Sequence, residues 1–228
     1  FKFYLQVWLI WGAAAGIALS ETLPRLKTWP AGRHAWWQTL LALLIVAAAS
    51  YPILATPAKV QDRWQYPAPT GLDGLAYMPL AEFHDQDQTL TLAYDARGIA
   101  WMQSHVQGTP VIAEGAAPPY RWGSRYSINT GLPTIIGWDW HQKQQRAALS
   151  STVIDWRLND LVTLYSSPNP EAAMEIVARY NVRYIVVGEL ESVYYHPVGL
   201  AKFERMVGDT LEVAYRDGPL TIYHVLER

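Results

Sequence analysis

The stretch WWQTLLALLIVAAASYPILA, residues 36–55, contains no charged side chain. An α-helix rises about 1.5 Å per residue, so a helix of this length matches the roughly 30 Å hydrocarbon core of a bilayer. Trp36, Trp37 and Tyr51 lie near its two ends, where aromatic residues concentrate in membrane helices. The stretch therefore predicts a transmembrane helix; the alternative is a buried helix of a large soluble protein.

A second apolar stretch, FKFYLQVWLIWGAAAGIAL at residues 1–19, has Lys2 as its only charged residue. Its small residues at 12–16 suit close packing against another membrane helix. The sequence opens inside this apolar stretch without a methionine. We therefore expect the C-terminal part of a longer, multi-pass protein of the cell membrane, whose upstream transmembrane helices are its partners.

The segment between the two spans, residues 20–35, is basic. It holds Arg25, Lys27 and Arg33 against the single acid Glu21. Because short loops rich in lysine and arginine stay on the cytoplasmic side, this loop is predicted to be cytoplasmic. The second span then runs outward, and everything after residue 55 is expected to be extracytoplasmic.

Residues 56–93 are predicted to connect the membrane part to a soluble domain. Pro52 and Pro57 are expected to kink or end the second helix, because proline lacks the N–H that a helix needs. The proline-rich stretch 57–70 predicts a loop along the membrane surface, and the apolar stretch 72–80 is expected in the interface.

Residues 94–228 predict an extracytoplasmic α/β domain, a mixed sheet with helices packed on it. Apolar residues at helical spacing predict helices, and short apolar runs predict strands. Helices are expected at 94–106, 139–148, 154–165, 170–180 and 200–207, and strands at 110–113, 184–187, 211–215 and 220–226. Residues 114–137 show little periodicity, and so long an irregular segment in a compact domain usually carries function.

Composition excludes several classes of function. The net charge of -2 argues against a nucleic-acid partner, which would demand a basic surface. The absence of cysteine excludes disulfides, thiolate metal sites and cysteine nucleophiles, and the six histidines show no metal-ligand spacing. Hydrolase, nucleotide-triphosphatase and dinucleotide-binding motifs are missing. We expect neither a metal nor a cofactor.

The segment YRWGSRYSINTGLPTIIGWDWHQKQQR, residues 120–146, is the most distinctive part of the sequence. Together with FKFYLQVW at 1–8, LDGLAYM at 72–78 and YIVVGELESVYY at 184–195, it resembles the Chlor-Arch-YYY family of very hydrophobic membrane proteins. The resemblance covers essentially the whole chain, as the C-terminal region of that family.

That family is grouped with the GT-C superfamily of glycosyltransferases. The resemblance implies transfer of a sugar from a lipid-phosphate donor, such as a polyprenyl-phosphate sugar, on the extracytoplasmic side. The acidic catalytic residues of the superfamily lie in its first extracytoplasmic loop, so no catalytic residue is expected in this chain. The alternative function is a non-catalytic extracytoplasmic module that binds glycans or assembles a membrane complex. An acidic pair after the first helix of the full-length protein would favour the enzyme.

The same tract supplies the candidate substrate-binding residues. Arginine offers a planar fork of donors to phosphate oxygens, glutamine suits sugar hydroxyls, and tryptophan can stack on a sugar ring. The candidates are Trp122, Arg125, Trp138, His141, Gln145 and Arg146. We expect residues 122–146 to fold back toward the membrane and line the substrate-facing side of the domain. The alternative is a structural loop whose arginines pair with Asp139 or Asp155.

Two pairs of acidic residues carry weaker signals. Asp85 and Asp87 form the D-x-D pattern with which some nucleotide-sugar enzymes hold a metal, but so short a match often occurs by chance. Glu189 and Glu191 directly follow the predicted strand 184–187, at the end where α/β domains place ligands. The preferred interpretation is that these two begin the next helix and favour its positive end.

Overall fold

The computed structural model describes residues 2–63, 69 and 71–226 and divides into two compact units, residues 1–65 and 66–228. The first unit contains helix α1, Lys2–Leu26, and helix α2, Ala31–Arg63. Both helices are long and apolar enough to cross a membrane, and none of their apolar windows is buried in protein. Neither is therefore a core helix of the described part of the chain.

The two helices extend further than the sequence predicted. The loop was expected at residues 20–35, but the segment between the two helices covers only residues 27–30. Pro24 lies inside α1. Pro52 and Pro57 lie inside α2, so the helix does not end there, and the kink expected as the alternative stays a prediction. Membrane-type helices tolerate proline, and the following residues 58–63 are mostly good helix formers.

The connector expected at residues 56–93 also takes a different form. Helix α2 occupies its first part, and residues 64–68 and 70, within the predicted loop, lie outside the described residues. Further on, Glu82–Asp85 (β1) and Gln88–Thr91 (β2) form an antiparallel hairpin. Met78 and Leu90 are buried, at 0% and 2% exposure. These residues therefore belong to the core of the second unit.

The second unit is a mixed α/β domain, as predicted. Its helices are α3 Leu92–His105, α4 Arg125–Thr130, α5 Asp139–Gln145, α6 Thr152–Ser166, α7 Pro170–Tyr180, α8 Glu189–Tyr194 and α9 Pro197–Arg205. Its main sheet contains β3 Val111–Ala113, β4 Val182–Val187, β5 Leu211–Asp217 and β6 Leu220–Val225. The strand order is β3-β4-β6-β5, with β3 parallel to β4 and the other pairs antiparallel.

Helices cover both faces of this sheet, because β4 presents successive apolar side chains to opposite sides. Ile185 joins the core cluster formed with α6, α7 and α9. Val186 joins the second cluster, formed with α3 and α4. Two apolar layers therefore enclose the sheet and fix the positions of the segments between β3 and α6.

Candidate functional site

The tract between β3 and α5 is less irregular than predicted, because it contains the short helix α4. Six residues are too few for helical periodicity to show in the sequence. The helix begins after Ser124 and ends at Gly131, both with left-handed backbone at φ 59° and 76°. Tyr120 adopts the same conformation, at φ 65°. Left-handed backbone is uncommon for residues other than glycine, and it needs surrounding structure to hold it.

A buried charge network supplies that support. The Arg125 guanidinium, 1% exposed, donates from Nε to Asp95 at 2.7 Å. Its Nη1 and Nη2 donate to the two oxygens of Glu191 at 3.1 and 2.9 Å. Glu191 also accepts the backbone N–H groups of Gly115 and Gly188, at 2.7 and 2.8 Å. One guanidinium thus joins α3, α4 and α8 to the start of the tract.

The carboxylates of this network differ in their electrostatics. Burial alone would raise the pKa of Glu191, but the Arg125 charge and the backbone N–H donors lower it below its usual value. Burial raises the pKa of Glu114, because it outweighs the opposing effects of the Arg125 charge and of the hydrogen bonds that the carboxylate accepts. Glu114 accepts the N–H groups of Tyr126 and Ser127, at 2.8 and 2.9 Å, and so anchors the first turn of α4.

Two predicted site residues thus form hydrogen bonds within the protein. Arg125 directs its donors to Asp95 and Glu191, and Trp122 donates its Nε1 to the same Asp95 oxygen at 2.8 Å. Their expected contact with phosphate or sugar stays a prediction, and Arg125 would have to leave these carboxylates to make it. Glu189 and Glu191 begin α8, as the preferred interpretation had it. No local sequence pattern predicts that Glu191 pairs with a guanidinium 66 positions away.

The other four predicted residues come together around one cavity of about 620 Å³. Trp138, His141, Gln145 and Arg146 all line it. The sequence analysis missed several further polar lining residues: Ser124, Ser127, Thr134, Gln142 and Arg157. The apolar part of the lining comes mainly from residues 133–136 and from Ile154 of α6.

The described lining of this cavity is neutral or basic, without a carboxylate. Arg157 donates to the Ile135 carbonyl at 2.9 Å, and Arg146 is exposed. No described carboxylate forms an ion pair with either arginine, whereas Lys143 pairs with the nearby Asp139 and Asp155, at 3.6 and 2.7 Å. The charge of Arg146 is therefore available to an anion, and the charge of Arg157, whose guanidinium also lies 5.1 Å from the Tyr180 ring centroid, is not neutralised by a described carboxylate.

Two lining residues also carry a buried polar atom without a hydrogen-bond partner. These atoms are Oγ1 of Thr134 and Nδ1 of His141. The His141 ring packs against Trp138, with centroids 5.3 Å apart, and meets Tyr120 edge-on at 5.8 Å. Since buried polar groups are nearly always hydrogen-bonded, these two are suited to bind a polar ligand.

The D-x-D pair is divided between two environments. Asp85, 1% exposed, accepts a hydrogen bond from the Tyr194 hydroxyl at 2.6 Å and lies 3.6 Å from Arg121. Asp87 is exposed in the hairpin turn. Across the described ranges, no group of three histidine or acidic residues could hold a metal ion. Asp85 instead links the hairpin to α8.

Comparisons with known proteins give a likeness in structure. No protein-family model matches the chain, and no curated protein matches it. The C-terminal globular domain of an oligosaccharyltransferase from Archaeoglobus fulgidus aligns with 57% of this chain and 95% of that domain, at 15% identity and a TM-score of 0.38. So low a TM-score does not establish a shared fold. The resemblance to the Chlor-Arch-YYY family therefore stays an expectation from the sequence.

Proposed function

We propose that this chain is the C-terminal part of a polytopic membrane glycosyltransferase, and that its cavity binds the phosphate and adjoining sugar of a lipid-phosphate-linked donor. The observation that carries the proposal is the convergence of Arg146, Arg157 and His141 on one cavity without a described carboxylate. The sequence resemblance supplies the reaction class. The upstream helices expected from the sequence would complete the enzyme.

The cavity offers suitable chemistry to each part of such a donor. The planar guanidinium groups of Arg146 and Arg157 match phosphate oxygens, with two parallel N–H donors each. Thr134 and His141 offer buried hydrogen-bonding atoms to sugar hydroxyls. The volume of about 620 Å³ lies within the range usual for small-molecule sites, roughly 300–1,000 Å³.

In this proposal the cavity binds and does not catalyse. None of its described lining residues is a carboxylate, the group that the sequence resemblance implies for catalysis of sugar transfer. The alternative function, a non-catalytic module that binds glycans, would use the same cavity to hold a sugar without a phosphate. The two functions therefore differ in whether affinity depends on the phosphate.

A ligand series on the full chain in lipid nanodiscs tests this difference. We expect a polyprenyl-phosphate hexose to bind about ten- to a hundredfold more tightly than a neutral polyprenyl hexoside without the phosphate, since a charge-assisted hydrogen bond contributes about 1.5–3 kcal/mol. A soluble hexose phosphate should bind measurably, as a free source of the same phosphate. Equal affinity for the phosphorylated and neutral lipids would contradict the proposal. Tight binding of a phosphate-free glycan would favour the module.

The proposal also places the α/β domain outside the cell. Because the chain has no cysteine, single cysteines can report the side of each segment. We expect Asp87→Cys, in the exposed hairpin turn, to react with a membrane-impermeant maleimide on intact cells. Lys27→Cys, in the short segment between α1 and α2, should react only after lysis. The reverse pattern would contradict the topology and the extracytoplasmic donor.

A further inference from the structure

Several exposed apolar side chains lie on or next to the segments that line the cavity. Ile128 is itself a lining residue and is 58% exposed. Trp140, 52% exposed, directly precedes the lining residue His141. Val153, 48% exposed, directly precedes the lining residue Ile154. These three side chains thus lie on three segments that form the cavity.

Two further exposed residues adjoin the same lining. The Tyr120 ring, 79% exposed, packs edge-on against His141. Leu149, 67% exposed, closes a turn by donating its N–H to the Arg146 carbonyl at 2.8 Å. We call Tyr120, Ile128, Trp140, Leu149 and Val153 the apolar rim. Large apolar side chains that are exposed near one another often mark a surface that contacts a partner or a membrane.

We propose that the apolar rim docks on the lipid bilayer, so that a lipid phosphate reaches the cavity from the headgroup layer. The same chain is expected to enter the bilayer, because α1 and α2 are of membrane-spanning length and composition. Fifteen residue steps separate Arg63, which ends α2, from Met78 in the domain core, a reach of at most about 50 Å. The chain therefore tethers the domain within this reach of the end of α2.

The chemistry of the rim suits a headgroup layer. Trp140 and Tyr120 combine an apolar ring with a polar atom, the side-chain type that concentrates at the membrane interface. Gln144 and Arg146 are exposed and lie between Trp140 and Leu149 in the sequence. An arginine beside apolar residues complements anionic headgroups. The proposal rests on the proposed function only in naming the lipid phosphate as the ligand.

A matched pair of valines allows a direct test. Val153 belongs to the rim, whereas Val213, 37% exposed, lies on β5, at the opposite edge of the sheet from β3. The cavity lies on the β3 side, since the lining residue Thr134 forms a bridge with Ile112. Val153→Cys and Val213→Cys would each carry a fluorophore, in the full chain in nanodiscs of phosphatidylcholine and phosphatidylglycerol with nitroxide-labelled lipid.

We expect lipid nitroxide to quench the label at Val153 strongly and to leave the label at Val213 bright. Adding Trp140→Glu and Leu149→Glu should abolish the quenching at Val153, because the rim would no longer enter the interface. Equal quenching at the two sites, or none at Val153, would overturn the proposal. A Val153 label shielded from both lipid nitroxide and aqueous iodide would show that a protein covers the rim, and would overturn it too.

The donor titration on the same nanodiscs separates this proposal from the proposed function. Quenching at Val153 without binding of polyprenyl-phosphate hexose would support the docking and contradict the donor site. Donor binding without quenching at Val153 would support the donor site and contradict the docking.

Discussion

Replacing Arg125 with methionine lowers the free energy of unfolding of the α/β domain by about 3–5 kcal/mol, since removing one member of a buried ion pair leaves its partner charged and unpaired. Here the substitution leaves two buried carboxylates, Asp95 and Glu191, without their guanidinium. Methionine keeps much of the side-chain volume, so the loss reports on charge more than on packing. The measurement is denaturant unfolding of the full chain, followed by tryptophan fluorescence.

Arg97→Met is the matched control. Arg97 also pairs with a carboxylate, that of Asp217, but its side chain is 51% exposed. An exposed ion pair contributes about 0–1 kcal/mol, so this variant should unfold almost as the parent does. Equal losses of unfolding free energy in the two variants would show that the buried network stabilises the domain no more than an exposed ion pair does. Because Gly115 and Trp122 bond to the same network, Arg125→Met also disturbs the tract beside the cavity and cannot serve as a test of ligand contact.

Much of the fold is predictable because its signals are local. Each of the helices α6 and α7 shows an apolar face at helical spacing, and the apolar run of β4 predicts a buried strand. The hairpin of β1 and β2 and the helix α4 escaped prediction. Strands of four residues and a helix of six are too short to show a period, and the hairpin contributes few buried residues.

The candidate site was likewise predictable only where its signals are local. Trp138, His141 and Arg146 lie close together in the sequence, on α5 and at its ends, so one distinctive tract pointed to them. Arg157 lies on an amphipathic helix, where a polar residue needs no function to explain it. The partners of Arg125, Asp95 and Glu191, are 30 and 66 positions away, and no local pattern indicates such a pairing. A guanidinium that suits phosphate suits a buried carboxylate equally well.

Replacing both Arg146 and Arg157 with alanine should weaken binding of a polyprenyl-phosphate hexose by about a hundredfold or more. Each guanidinium contributes a charge-assisted contact of about 1.5–3 kcal/mol, equivalent to roughly ten- to a hundredfold in affinity. The two contacts share one phosphate, so their losses need not add fully. Titration of the full chain in nanodiscs gives the affinity, and thermal melting shows whether the double variant stays folded.

The control for this variant removes the same charge elsewhere. Arg97→Ala with Arg216→Ala takes two arginines from ion pairs on the β5 side of the sheet, and should bind the donor as the parent does. Lysine at 146 and 157 keeps both charges but loses the planar fork, so its affinity should fall between those of the alanine variant and the parent. A folded alanine variant that binds the donor with parental affinity would show that the cavity does not hold the phosphate.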